Sequence, residues 1–195
     1  MKPKRIVLAE DEAIIRLDIN QTLTAEGYEI VGEAGDGVQA VALVREHKPD
    51  VAVLDIQMPV MDGLEAAREI MEDRLCAVVI LTAHSQREYI DEATEVGAMA
   101  YVTKPFKPAD LVPAIELASG RFRDMQALSK SREQLEAQLE TRKIVDRAKG
   151  ILMDELGMTE NDSFRFIQKT AMSKRSTMRD VASAILDGSL RPDPQ

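Results

Sequence analysis

Four stretches of this chain carry side chains that could do chemistry together. Glu10, Asp11 and Glu12 follow the apolar run Ile6–Ala9, and Asp55 closes the run Val51–Leu54 ahead of Ile-Gln-Met-Pro-Val-Met-Asp-Gly. Thr82 closes Val78–Leu81, and Lys104–Pro105 comes just after Ala98–Val102. Clustered carboxylates repel one another unless a cation sits among them. Oxygen ligands with open positions suit magnesium, which keeps several waters and prefers phosphate-bearing partners. A lysine beside them balances charge and can grip a phosphoryl oxygen. In that arrangement Asp55 is the candidate nucleophile on phosphorus, with the metal neutralising attacker and incoming group together. Thr82 supplies a hydroxyl donor to the product's oxygens. The loose transition state of such a transfer needs placement and charge more than acid–base work. Each feature alone has an ordinary explanation, because a strand-end Asp often caps a helix and Lys-Pro often makes a turn. Their succession at consecutive strand ends is what argues for a site.

The elements that would gather these residues are legible as far as about residue 118. The runs Ile6–Ala9, Val51–Leu54 and Val78–Leu81 are short and largely β-branched, as strands buried on both faces of a parallel sheet are. Tyr28–Val31 and Ala98–Val102 are weaker strand candidates. Helical stretches alternate with them near 13–25, 37–47, 63–73, 86–95 and 108–118. In the first, the spacing places Ile14 and Leu17 inward and Asp18 and Gln21 outward. Gly27, Gly37, Gly63 and Gly97 fall in the turns. Five βα units predict a doubly wound α/β fold with a five-stranded parallel sheet and its site at the carboxyl ends of the strands.

Composition narrows the classes. With 195 residues there is room for one large domain or two modest ones, and four Phe, three Tyr and no Trp make the core aliphatic. The longest apolar run, Cys76–Leu81, is too short to span a bilayer, and the N-terminal apolar stretch is a strand rather than a signal peptide. One cysteine cannot form an internal disulfide, which fits a reduced, cytoplasmic compartment. Residues 1–120 hold 11 basic and 22 acidic side chains, a net of -11, whereas residues 121–195 hold 14 and 12, a net of +2. The first part would repel nucleic acid; the second need not.

Residues 4–118 resemble the receiver domain of bacterial response regulators. The resemblance rests on LAEDE, VLDIQMPVMDGLEA, ILTAHS and YVTKPF. It implies the flavodoxin-like fold, Asp55 as phosphoacceptor for a sensor histidine kinase, and Glu10 and Asp11 as the acidic pair. It puts magnesium on Asp11 and Asp55 beside Glu10, with the backbone carbonyl of Gln57 as a further ligand. Thr82 and Lys104 match the family's switch hydroxyl and lysine, Tyr101 its switch aromatic, and the Lys104–Pro105 bond is expected cis. Such a domain catalyses only its own phosphorylation and dephosphorylation. Glu10 stands where Asp is commoner in the family, a longer arm that alters the metal's geometry.

The second half reads as all-α. Residues 121–149 form one polar helix, with a connector over 121–141. Met125, Leu128, Leu135 and Leu139 fit a heptad seam that Arg132 and Arg142 interrupt, so a solvated connector and a short dimer coil, formed on phosphorylation, both stay open. No Pro/Gly/Ser linker divides the halves, so a stiff coupling is expected. Phe164, Ile167, Ala171 and Met172 predict one apolar helix face, and Met178, Val181, Ala182, Ile185 and Leu186 the next, with Thr159 as an N-cap.

Residues from about 142 to 190 resemble the ANTAR domain, a three-helix RNA-binding module of transcription antiterminators. The matching residues are RAKGILM (147–153), Gly157–Met158, Phe164 and Ile167, Ala171–Met172 and Asp180–Val181–Ala182. Ser163 replaces the usual alanine. Ala148 and Gly150 are small enough for close helix packing. Arg165, Lys169, Lys174, Arg175 and Arg179 form a stretch without an acid, a candidate surface for RNA hairpins, and Arg142, Lys143, Arg147 and Lys149 make a second cluster. Phe166 lies off the apolar phase, placed either to stack on a base or to pack on the connector helix. A DNA-binding regulator and a protein–protein relay are the competing readings. An output enzyme has no catalytic constellation in the remaining residues.

Overall fold

The computed structural model describes residues 2–83 and 94–190. The chain divides into two compact units, Met1–Gln126 and Ala127–Gln195. The helix expected near 86–95 lies mostly outside the described residues, as do His84 and Ser85. Among the described residues no helix is long and apolar enough to cross a membrane.

The first unit is a parallel five-stranded sheet. Its strands are β1 (Arg5–Ala9), β2 (Glu29–Ala34), β3 (Val51–Asp55), β4 (Ala77–Thr82) and β5 (Ala100–Thr103), ordered β2-β1-β3-β4-β5. Every residue of β3 and β4 is buried, as their unbroken apolar runs require. The edge strands β2 and β5 are partly exposed, which explains their weaker apolar signal. Side chains alternate across the sheet. Val7, Ala9, Ala52, Leu54, Val78 and Ile80 enter one core layer. Ile6, Leu8, Val53, Val79 and Leu81 enter the other.

Helices α1 (Ala13–Ala25), α2 (Gly37–His47), α3 (Gly63–Glu72) and the start of α4 (Pro108–Leu156) cover the sheet. α2 and α3 close the first layer; α1 and α4 close the second. On α1 the expected inner face is wrong. Ile14 is 85% and Leu17 56% exposed, while Ile19 and Leu23 are fully buried and Ile15 packs beside them. Five apolar residues in that helix form two overlapping rows, and sheet contact selects 15-19-23. The stretches near 108–118 and 121–149 are one helix of 49 residues. Ser119–Gly120 between them holds no proline, and a lone Gly weakens a helix by only about 1 kcal/mol.

The second unit packs the C-terminal part of α4 with α5 (Glu160–Lys174) and α6 (Met178–Leu186). Val145, Ala148, Leu152, Ile167, Ala171, Val181, Ala182 and Ile185 form its core, joined by Phe166. Thr159 caps α5 by accepting from the Asp162 N–H, and Thr177 and Asp180 make a reciprocal capping box on α6. Phe164 and Met172, expected inside, are 40% and 76% exposed. Ser163, Ile167 and Ala171 define the buried row instead, because they share the i, i+4 line that meets α4 and α6. A Cβ on Gly150 would meet nothing within 4 Å, so close packing does not account for that glycine, whereas Ala148 is fully buried.

Candidate functional site

β1 and β3 are neighbours in the sheet, and the chain leaves them toward opposite sides. The crevice outside their carboxyl ends is therefore open to ligands. Glu10 and Asp11 stand at the end of β1, Asp55 at the end of β3, Thr82 at the end of β4 and Lys104 directly after β5. The cleft they share has a volume of about 330 Å³, lined by Asp11, Asp55, Gln57, Thr82 and Lys104. Residues separated by up to 94 positions thus converge, as the strand-end pattern predicts.

Lys104 holds the floor together. Its ammonium lies 2.6 Å from Glu10 Oε2 and 2.8 Å from Asp55 Oδ1. Its backbone N–H donates to the Thr82 carbonyl at 2.7 Å, and the Lys104–Pro105 bond is cis. Glu10 is fully buried and Asp55 nearly so. Burial pushes both carboxyls above their ordinary range, and their bonds to Lys104 only partly offset it. Burial also works against charge on Lys104, but its two carboxylate partners outweigh that and hold it above a free lysine. Carboxylate oxygens of Glu10, Asp11 and Asp55 lie within 4.8 Å of one another. Three acids against one lysine leave the cleft short of positive charge. The donors are all oxygen and Asp11 is exposed, so the residues fit a hard divalent cation such as magnesium. Gln57 is exposed on the rim, and its backbone works to lower the Asp55 carboxyl against the effect of burial.

Of two supporting residues, the sequence alone does not single out Arg16 and marks Gly63 only as a turn glycine. Arg16 on α1 donates to the Glu10 carbonyl and pairs with Glu33 at 3.6 Å, fixing the loop that carries the acidic pair. Its only sequence signal is a basic residue one turn into the helix behind that pair. Gly63 is the other. A Cβ there would stand 1.9 Å from the Asp55 carbonyl oxygen, while its N–H donates to Ile56 at 2.9 Å. Only glycine lets the loop after β3 turn back so tightly beside Asp55.

Tyr101 on β5 is 45% exposed and so lies on the surface, while Thr82 is buried. Arg121 of α4 donates to the Met99 carbonyl at 2.8 Å, tying that helix to the chain entering β5.

In the second unit Arg165, Lys169, Lys174, Arg175 and Arg179 are all exposed. Lys149 is not available in the same way. It is held by Asp146 at 2.8 Å and Glu160 at 2.9 Å, and Arg142 lies 3.9 Å from Asp146. Phe166 packs into the helical core, which decides between its two expected roles.

The family model for the response regulator receiver domain matches residues 6–116, and the ANTAR domain model matches residues 133–186. The chain is 52% identical over 185 residues to the transcriptional regulatory protein PdtaR of Mycobacterium tuberculosis, covering 95% of this chain and 90% of that protein. It is 37% identical to the chemotaxis protein CheY of Thermotoga maritima over 60% of this chain and 98% of that one. Among solved structures, the receiver domain of the putative response regulator NarL from M. tuberculosis superposes with a TM-score of 0.59 at 30% identity. That likeness covers 62% of this chain and 98% of the other. A CheX–CheY–BeF3–magnesium complex from Borrelia burgdorferi has a TM-score of 0.56 at 28% identity, over 58% of this chain and 87% of that one.

Proposed function

Because the chain belongs to the response regulators that join a receiver domain to an ANTAR domain, we propose that phosphorylation of Asp55 by a sensor histidine kinase controls RNA binding by the helical unit. The observation that carries the receiver part is Lys104 bridging Glu10 and Asp55 at the end of the central strands. Lys104 orients the Asp55 carboxylate through Oδ1. A carboxylate oxygen of Asp55 attacks phosphorus, the donor's bond to phosphorus breaks, and the donor departs with that electron pair and is protonated by water. Asp11, Asp55, Glu10 and the Gln57 carbonyl would hold magnesium, which supplies charge neutralisation around the incoming group. Lys104 and Thr82 then hold the phosphoryl oxygens, and Tyr101 changes its exposure on β5 in response.

The ANTAR match and the five exposed basic residues of α5 and α6 support RNA hairpins as the output ligand, with transcription antitermination as the outcome. Paired output units on a phosphorylation-driven dimer, coiled through Leu128, Leu135 and Leu139, would gain avidity for two neighbouring hairpins. The test is labelling with a small phosphodonor and magnesium, followed by hairpin binding. Wild type should acquire a base-labile phosphoryl group and bind RNA more tightly, and Asp55→Asn should do neither. Equal labelling of Asp55→Asn overturns the acceptor assignment; equal binding to duplex DNA overturns the RNA assignment.

A further inference from the structure

The helical unit contains a groove that the reading above leaves without a role. It opens between residues 137–149 of α4 and the beginnings of α5 and α6, with a volume of about 540 Å³, within the range of ligand sites. Val145, Phe164 and Met178 give it an apolar surface. Phe164 is the anomaly there. It is 40% exposed although it sits beside a formed core, and the neighbouring Phe166 is the aromatic that packs inside. The rim is polar, with an amide from Gln138, the hydroxyl oxygen of Thr141 (whose proton goes to the Ala137 carbonyl), the guanidinium of Arg142 and the carboxylate of Asp146. Arg142 is only loosely paired, since its side chain is 82% exposed and 3.9 Å from Asp146.

We propose that this groove receives one unstacked base of a single-stranded RNA loop, its ring stacked on Phe164 and its polar edge met by Gln138, Thr141 and Arg142. The proposal rests on the reading of the helical unit as an RNA binder and assigns where that unit reads the loop. An aromatic ring left in water beside hydrogen-bonding side chains is what base recognition in RNA loops uses. Charge argues in the same direction. Arg165 and Lys169 follow Phe164 along α5, and Lys143 and Arg147 accompany Arg142 on α4, all exposed. Asp146 also lines the groove, so this positive charge lies beside the groove rather than within it, where the phosphates flanking a bound base would pass. The alternative occupant, an apolar helix of a second copy, would strip water from Gln138 and Arg142 without replacing their hydrogen bonds. A base edge replaces them.

The experiment uses the full chain, phosphorylated, and a pool of RNA hairpins with one fixed stem and a fully randomised loop. Loops retained by wild type are then titrated with Phe164→Ala and Phe164→Tyr at several salt concentrations. Phe164→Ala should weaken binding about tenfold to a hundredfold, the loss of one stacked base, without changing the salt slope. Phe164→Tyr should bind as wild type does. A retained loop carrying 5-iodouridine at successive positions should photocrosslink to Phe164 from one position, a readout that holds even if Phe164→Ala folds poorly. Wild-type affinity in a folded Phe164→Ala, or crosslinking only elsewhere, overturns the inference and leaves RNA binding by the unit intact. A Phe164→Ala variant whose sedimentation without RNA shifts from dimer to monomer assigns the groove to a second copy and also overturns it. Wild type that retains no hairpin in either phosphorylation state removes the RNA reading itself.

Discussion

Replacing Lys104 with methionine tests the electrostatic logic of the receiver cleft. The lysine side chain is 17% exposed and contacts two carboxylates that are 0% and 7% exposed. Methionine keeps most of the volume and removes the charge, leaving two buried acids facing each other with Asp11 close by. Breaking a buried ion pair from one side costs about 3–5 kcal/mol. The cleft opens to water on the Asp11 side and the acids can take up a proton, so the lower end applies. We expect a loss of about 3 kcal/mol at neutral pH without magnesium, which for a unit of this size lowers Tm by roughly 10 °C. Tyrosine fluorescence isolates the effect, because all three tyrosines, Tyr28, Tyr89 and Tyr101, precede residue 127 and report only the first unit. Adding Asp55→Asn to Lys104→Met should recover about 1 kcal/mol by removing one of the repelling charges. Magnesium should recover stability in Lys104→Met more than in wild type. The reasoning fails if Lys104→Met lies within about 0.5 kcal/mol of wild type in chelator, or if Asp55→Asn deepens the loss.

Other expectations follow from the same geometry. Burial raises the Glu10 and Asp55 carboxyls, so the folded state binds their protons more tightly than the unfolded chain. Their contribution is therefore largest below the ordinary carboxylate range near pH 4 and is lost as pH rises through the raised values. The stability difference between wild type and a Glu10→Gln, Asp55→Asn double variant, measured against pH in chelator, should show that fall, and magnesium should flatten it. Gly120→Ala and Gly150→Ala meet open space inside α4 and should each add about 0.5–1 kcal/mol in urea melts. Gly63→Ala meets the Asp55 carbonyl and should instead destabilise the receiver unit and slow its phosphorylation. Thr82→Ala should still accept phosphate yet lose most of the RNA response, and full activation of that variant would break the proposed relay. Reversing charge at Lys174 and Arg175 should weaken hairpin binding and flatten its salt dependence, leaving Asp55 labelling unchanged.

What was legible in the sequence, and what was not, follows from which residues the fold constrains. β3 and β4 are buried on both faces, so only apolar, largely β-branched residues serve there, and each run ends in a polar group that the fold must place at the cleft. Asp55 and Thr82 were readable for that reason, whereas Lys104 follows the weaker edge strand β5 and was readable through its Lys-Pro pair, and Glu10–Asp11 through the carboxylates that follow β1. Helix faces were not equally readable. Ile14, Ile15, Leu17, Ile19 and Leu23 satisfy two rows on α1, and nothing local decides which row meets the sheet. The exchange of Phe164 and Phe166 on α5 has a similar cause: two aromatics two positions apart point in different directions, and the partner helices choose between them. Arg16 supports the cleft through the Glu10 backbone, which leaves no pairwise signature in a single sequence, and Gly63 was readable as a turn but not as a close neighbour of the Asp55 carbonyl.

The same reasoning separates the two halves of the molecule. A phosphoryl-transfer cleft needs fixed atom types converging within hydrogen-bonding distance, so each residue there has few substitutes. A surface that meets phosphates needs only positive charge on a suitable face, and any solvated helix can supply that. Exposed arginines such as Arg165 and Arg179 therefore say little singly. An aromatic ring held partly in water at the edge of a polar groove is harder to explain as solvation alone. On the proposed reading, Phe164 is the residue through which the helical unit's ligand becomes specific, because its ring stays partly in water while Phe166 packs against the core.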